Sequence, residues 1–118
     1  MSEIYAFAPL YIHSGNAGVG GNLVASVTIS ATTSAASAAL PITSTDQVQI
    51  ANQTTAWAFV NFGLNTTQIT AATVAASYPV APGAVVVVTL DSEVAAVSCI
   101  LAAGATAGNV TFTLGNGL

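Results

Sequence analysis

Apolar and polar residues alternate along much of this chain with a period of two, the mark of a half-buried β-strand. Over 23–31, Leu23, Ala25, Val27, Ile29 and Ala31 share one face, and Val24, Ser26, Thr28 and Ser30 share the other. Residues 47–51 repeat the pattern with Val48 and Ile50 facing inward. Over 56–62, Trp57 and Phe59 fall on one face and Ala58, Val60 and Phe62 on the other. The plainer reading puts Trp57 or Phe59 into the core, because aromatic side chains bring the most area to bury. Residues 68–75, with Ile69 and Val74, make a weaker strand candidate, diluted by Ala71 and Ala72. The run Val85-Val86-Val87-Val88-Thr89-Leu90 does not alternate and reads as a strand buried on both faces. Residues 94–101 form another apolar strand, and 109–114 a last alternating one.

Turn signals separate these segments. Gly63-Leu64-Asn65, the stretch 78–83, Asp91 to Glu93, and 104–108 all read as turns. Pro82-Gly83 suits the central pair of a type II turn. Residues 32–45 are low in complexity, and their Ser/Thr density with Pro41 favours a long loop or an irregular strand. No helical period persists. Short strands at this spacing predict an all-β fold, an antiparallel β-sandwich or jelly roll of about 7–8 short strands. Residues 1–22 read as an N-terminal arm and Gly-rich loop, and 23–118 as the sandwich domain. The arm carries the bulky residues Ile4, Tyr5, Phe7, Leu10, Tyr11 and Ile12, followed by the glycine-rich 15–21. These six are the candidate interface to a partner protein or a sister subunit, by strand addition.

Composition changes the picture most through what is missing. The chain has no Lys, no Arg and four carboxylates (Glu3, Asp46, Asp91 and Glu93), so 3% of its 118 residues are charged. An ordinary soluble domain carries about a quarter. Its surface is instead covered by 36 Ser, Thr, Asn and Gln residues. Such a surface meets another protein without desolvating many charges. It is poorly suited to nucleic acid, whose affinity rests on Lys and Arg against phosphates. With 24 Ala and 14 Val, the apolar 53% is dominated by small and β-branched side chains that suit packed sheets. The apolar surface exceeds what one small core hides, which favours homo-oligomers or docking. No stretch reaches the roughly 18–20 apolar residues of a spanning helix, and no basic leader precedes a cleavage site, so no membrane role is expected. Asp91 and Glu93 flank the sticky valine run on one side, as Pro82 and Gly83 do on the other, the placement of residues that guard against aggregation.

Candidate chemistry is sparse. Asp91 and Glu93 share a face of an extended chain, but a hard cation wants about six to eight oxygens, more than they supply. His13 is the one histidine, so neither a His-based metal cluster nor a triad is legible around it. The loop 15–21 lacks the lysine and the strand–helix context of a phosphate loop. Cys99 stands alone in an apolar run and reads as a small buried hydrophobe. Three Asn-x-Thr sequons, at Asn52, Asn65 and Asn109, are expected by chance in a Thr-rich chain. The residues therefore point to a protein that is not an enzyme, with no catalytic, cofactor or metal site. Exposed Trp57, Phe59, Tyr5 and Tyr11 are the alternative chemistry, a stacking platform for sugars.

Phe59-Val60-Asn61-Phe62-Gly63, Ala71-Ala72-Thr73-Val74-Ala75, Tyr78-Pro79-Val80-Ala81-Pro82-Gly83 and the closing Ala103-Gly104-Ala105-Thr106-Ala107-Gly108-Asn109-Val110-Thr111-Phe112-Thr113-Leu114 resemble small virion proteins of tailed bacteriophages, of the capsid decoration or cement type. The resemblance covers mainly residues 57–118. It implies a small β-domain on the outer surface of the capsid. It also implies a structural role in bridging capsomers, with the major capsid protein and its own copies as partners. The alternative is a carbohydrate-binding β-module of a tail fibre or spike.

Overall fold

The alternating segments do become strands, and they pair in a nested way. A computed structural model describes residues 7–9, 26–40, 47–91 and 93–117. Among them run β1 (Phe7–Pro9), β2 (Ser26–Ala31), β3 (Ala36–Ala39), β4 (Gln47–Asn52), β5 (Ala58–Gly63), β6 (Tyr78–Val80), β7 (Val85–Thr89), β8 (Ala96–Leu101) and β9 (Gly108–Gly117). All pairings are antiparallel: β2 with β9, β3 with β8, β4 with β7 and β5 with β6. The ribbon is then closed by β4 against β9 and β5 against β8. Two sheets result. The first runs β9-β4-β7, with β2 and β1 sharing the remaining edge of β9; the second runs β3-β8-β5-β6. This is an all-β fold compatible with a β-sandwich.

Register explains the core. On the inner side of the first sheet, Val27, Phe112, Ile50 and Val86 form one row, and Leu114, Val48 and Val88 another. Facing them, Ala36, Cys99 and Val60 line up in the second sheet, beside Leu101, Ala58 and Val80. These residues belong to one apolar cluster. Small side chains opposite larger ones let the two layers approach closely. Outward positions of β2 and β9 form hydroxyl pairs: Ser26 with Thr113 at 2.9 Å and Thr28 with Thr111 at 3.1 Å. Such cross-strand pairs stabilise a sheet on its wet face.

Residues 36–39 form a strand inside the stretch read as a long loop or an irregular strand, where pairing with β8 supplies what the Ala/Ser sequence lacks in propensity. Three expectations are corrected. The stretch 68–75 is not a strand but part of the loop between β5 and β6. Within 78–83, Tyr78–Val80 is a strand, and the turn proper is Ala81 to Ala84, closed by the Ala84 N–H to the Ala81 carbonyl at 3.0 Å with Gly83 at φ 73°. Pro82 followed by a positive-φ glycine is the type II geometry read from the sequence. Finally, β7 is not buried on both faces. It ends the first sheet, with Val86 and Val88 against the core and Val85 and Val87 exposed.

Candidate contact surfaces

Of the six proposed interface residues, Ile4, Tyr5, Leu10, Tyr11 and Ile12 lie outside the described residues. Phe7 begins β1, whose backbone pairs Phe7 with Gly117, Ala8 with Asn116 and Pro9 with Gly115. A segment of the arm thus adds a strand to this chain's own sheet. His13 and the glycine-rich loop also lie outside the described residues.

Through the rows of Gln49 and Ala51 the outer face of the first sheet is uncharged. Following the register across it, one row reads Ser26, Thr113, Gln49, Val87 and the next Thr28, Thr111, Ala51, Val85. Hydroxyls thus give way to apolar side chains toward β7, where Val85 is 58% exposed and Val87 41%.

The second sheet divides its outer face between a covered and an open half. Asn61 and Ser98, paired in register, anchor the loop above them. The Asn61 amide donates to the Thr70 carbonyl at 2.7 Å, and the Ala72 N–H donates to Ser98 Oγ at 2.9 Å. Beyond that loop, Phe59 lies between Ile100 and Pro79. Trp57 continues the same face, since the Ala102 N–H donates to its carbonyl at 3.0 Å. The expectation that Trp57 or Phe59 fills the core is corrected here. Ala58 and Val60 are the buried pair, while Phe59 is half-buried and Trp57 is 48% exposed, as is Tyr78. Val60 lies in register with Cys99 and Ala36, so the smaller face of β5 continues a row of small side chains in the core.

Among the buried polar side chains, Asn52 is legible in the sequence only as a chance sequon. Asn52 closes β4 and is buried. Its amide donates to the carbonyls of Ala56 (2.9 Å), Val80 (3.0 Å) and Ala81 (3.1 Å). The Asn52 backbone carbonyl also accepts from the Gly83 N–H at 2.9 Å. The Asn-x-Thr spacing has a structural use, because Thr54 satisfies the Asn52 oxygen. Asn109 and Asn65 are exposed, and Asn65 Oδ1 accepts the N–H groups of Thr67 (2.9 Å) and Gln68 (2.8 Å), a side-chain turn that starts the loop.

Among the described residues the titratable groups do not converge. Asp91 Oδ1 accepts the Glu93 N–H at 3.1 Å and the Asp91 carbonyl accepts the Val94 N–H at 3.0 Å, so this carboxylate shapes an exposed turn after β7. Cys99 is fully buried between the layers, and burial pushes its thiol pKa up to about 11. Among the described residues, no three His, Cys, Asp or Glu side chains gather, and no cavity opens. The arrangement offers flat uncharged faces, aromatic surface and a strand edge. Comparison of the chain with protein-family models, with curated proteins and with solved structures finds no match.

Proposed function

We propose that this chain is a structural virion protein of a tailed bacteriophage, a decoration or cement protein that stabilises the head by bridging capsomers. We read the sandwich as a jelly roll, a reading supported by the ribbon of strands paired first with last and rolled into two sheets. The observation that carries the functional reading is the pair of uncharged, partly apolar outer faces on opposite sides of one small domain. Val85 and Val87 mark one, and Trp57 and Phe59 the other. A protein that bridges needs two contact surfaces, and contacts free of charge avoid the desolvation that opposes ion burial. Copies seated across capsomer boundaries add buried area that resists internal DNA pressure. The arm residues Ile4, Tyr5, Phe7, Leu10, Tyr11 and Ile12 supply the contact with the major capsid protein or a sister subunit. Deletion of residues 1–14 tests this by co-sedimentation with intact heads. Loss of stoichiometric binding by a domain that keeps its β circular dichroism is expected; undiminished binding overturns the role of the arm, and failure of the full chain to bind heads overturns the reading.

The exposure of Trp57 favours a second reading, a carbohydrate-binding module of a tail fibre or spike. Trp57, Phe59 and Pro79 line an open aromatic strip on which a sugar ring can stack. A glycan array separates the two readings. Specific binding lost in Trp57→Ala, with no affinity for heads, selects the module.

A further inference from the structure

We propose that two copies of this chain join edge to edge through β7, antiparallel and centred on Val87, so that their first sheets become one.

The phase of the ladder identifies the groups available. The Asn52 N–H donates to the Ala84 carbonyl at 2.9 Å, and the register then pairs Ile50 with Val86 and Val48 with Val88. In an antiparallel pair, alternate residues turn both backbone groups toward the partner strand. Ala84, Val86 and Val88 therefore face β4, and the N–H and C=O of Val85, Val87 and Thr89 face the outer edge. Among the described residues β7 pairs with β4 alone. Edges of this kind are normally blunted by a charge, a proline or a bulge. Within Val85–Thr89 there is none, and the five register pairs with β4 run without interruption.

The sequence at this edge fits a second copy. With Val87 on a two-fold axis, Val87 meets Val87, Val86 meets Val88, and Val85 meets Thr89. Each residue offering edge hydrogen bonds is opposite another that offers them, as an isologous interface requires. Charge decides the direction. In this register Asp91 lies across from the partner copy's Gly83, eight residues from the other Asp91, or ~27 Å along the strand. That is well beyond a Debye length of about 8 Å. A parallel pairing would set Asp91 and Glu93 beside their own copies. A foreign strand has no such self-matching, and with no Lys or Arg in the chain this edge has no cation with which to attract an acidic partner.

Edge pairing over five residues buries little area compared with an obligate interface. The expected species is a dimer that dissociates on dilution. Sedimentation equilibrium of the full chain over a range of concentrations reads it. Val87→Pro removes an N–H that β4 does not use, and Val87→Lys places two cations on the axis; both are expected to stay folded and monomeric. A wild type that is monomeric throughout overturns the proposal, as does a dimer that survives in both folded variants. Register is read separately by mild oxidation: Val87→Cys is expected to cross-link, and Val85→Cys, displaced from its own copy, to stay reduced. Equal cross-linking of the two overturns the two-fold at Val87. The pairing requires only a second copy, so a dimer that ignores phage heads leaves it standing while removing the capsid reading, and a monomer that binds heads does the reverse.

Discussion

Thr54 directs both its backbone N–H, at 3.0 Å, and its hydroxyl, at 2.7 Å, to one atom, Oδ1 of Asn52. The hydroxyl is shared with the Ala56 carbonyl at 2.9 Å and accepts the Ala56 N–H at 3.2 Å. Through these two side chains the β4–β5 connection is locked to the β6–β7 turn, which lies in the other half of the ribbon. In an apolar interior such a network is stabilising while every member is satisfied and costly once one is lost.

Asn52→Ala removes the side-chain donor to the Val80 and Ala81 carbonyls and the acceptor of the Thr54 N–H, leaving the Thr54 hydroxyl proton and the Ala56 carbonyl only each other. We expect a loss of about 3–5 kcal/mol, a large share of the total stability of a domain this size. Thr54→Ser keeps both donors and is expected to cost under about 1 kcal/mol; Thr54→Val, which keeps only the N–H, about 1–2 kcal/mol. Urea denaturation of the three variants checks the order.

Ser98→Ala leaves the buried Ala72 N–H without its acceptor. The expected destabilisation is about 1–2 kcal/mol. The more specific readout is amide hydrogen exchange: Ala72 should exchange faster, while amides in β9 keep their protection. Uniform acceleration across the domain would mean that the loop is not the local unit affected.

Gly63 ends β5 where Ile69 crosses over it. A Cβ added there would lie 2.8 Å from Ile69 Cγ1, 2.9 Å from its Cβ and 3.0 Å from its Cα. Overpacking of this kind costs about 1–3 kcal/mol. Gly63→Ala should therefore lower the thermal midpoint, and adding Ile69→Ala should recover part of the loss, a non-additivity measurable in a double-mutant cycle.

Burial of the Cys99 thiol makes stability depend on alkaline pH. Its folded pKa, about 11, lies above the ordinary thiol value of 9.0. Between those values the unfolded chain releases the proton while the folded one retains it. Stability from this group is therefore full below pH 9 and falls as pH rises toward 11. The whole effect amounts to about 2–3 kcal/mol. Cys99→Ala should flatten that part of the pH profile relative to wild type in matched denaturation series. The native thiol should resist a thiol reagent at pH 8 until denaturant is added.

Where one face was polar, the alternation located the inside correctly: Ile29 and Ala31 in β2, Val48 and Ile50 in β4. Where both faces were apolar it could not, because a period of two separates the faces without ordering them. Size favours Trp57 or Phe59 inward, yet the space between the layers accepts Ala58 and Val60. The valine run misled for the same reason: uninterrupted valines suit a central strand, and nothing in the run marks it as an edge. At Ala36–Ala39 the sequence leaves loop and irregular strand open, and pairing with β8 decides for the strand. Of the candidate interface, only Phe7 falls among the described residues, so that part rests on its bulk and on the glycines after it. The role of Asn52 is not legible in the sequence, since two of the carbonyls that accept from its amide belong to the distant residues Val80 and Ala81.

The nested pairing of β2 with β9 has a consequence for the life history of the molecule. β9 lies between β2 and β4, so the first sheet has no centre until the ribosome has released the chain through Gly117. Folding must then close loops spanning nearly the whole domain, the topology that makes β-proteins slow folders. For that interval β4 and β7 wait without β9, and the four valines of β7 are open to any neighbouring nascent chain. Production is therefore expected to be limited by temperature and synthesis rate more than by the stability of the finished fold.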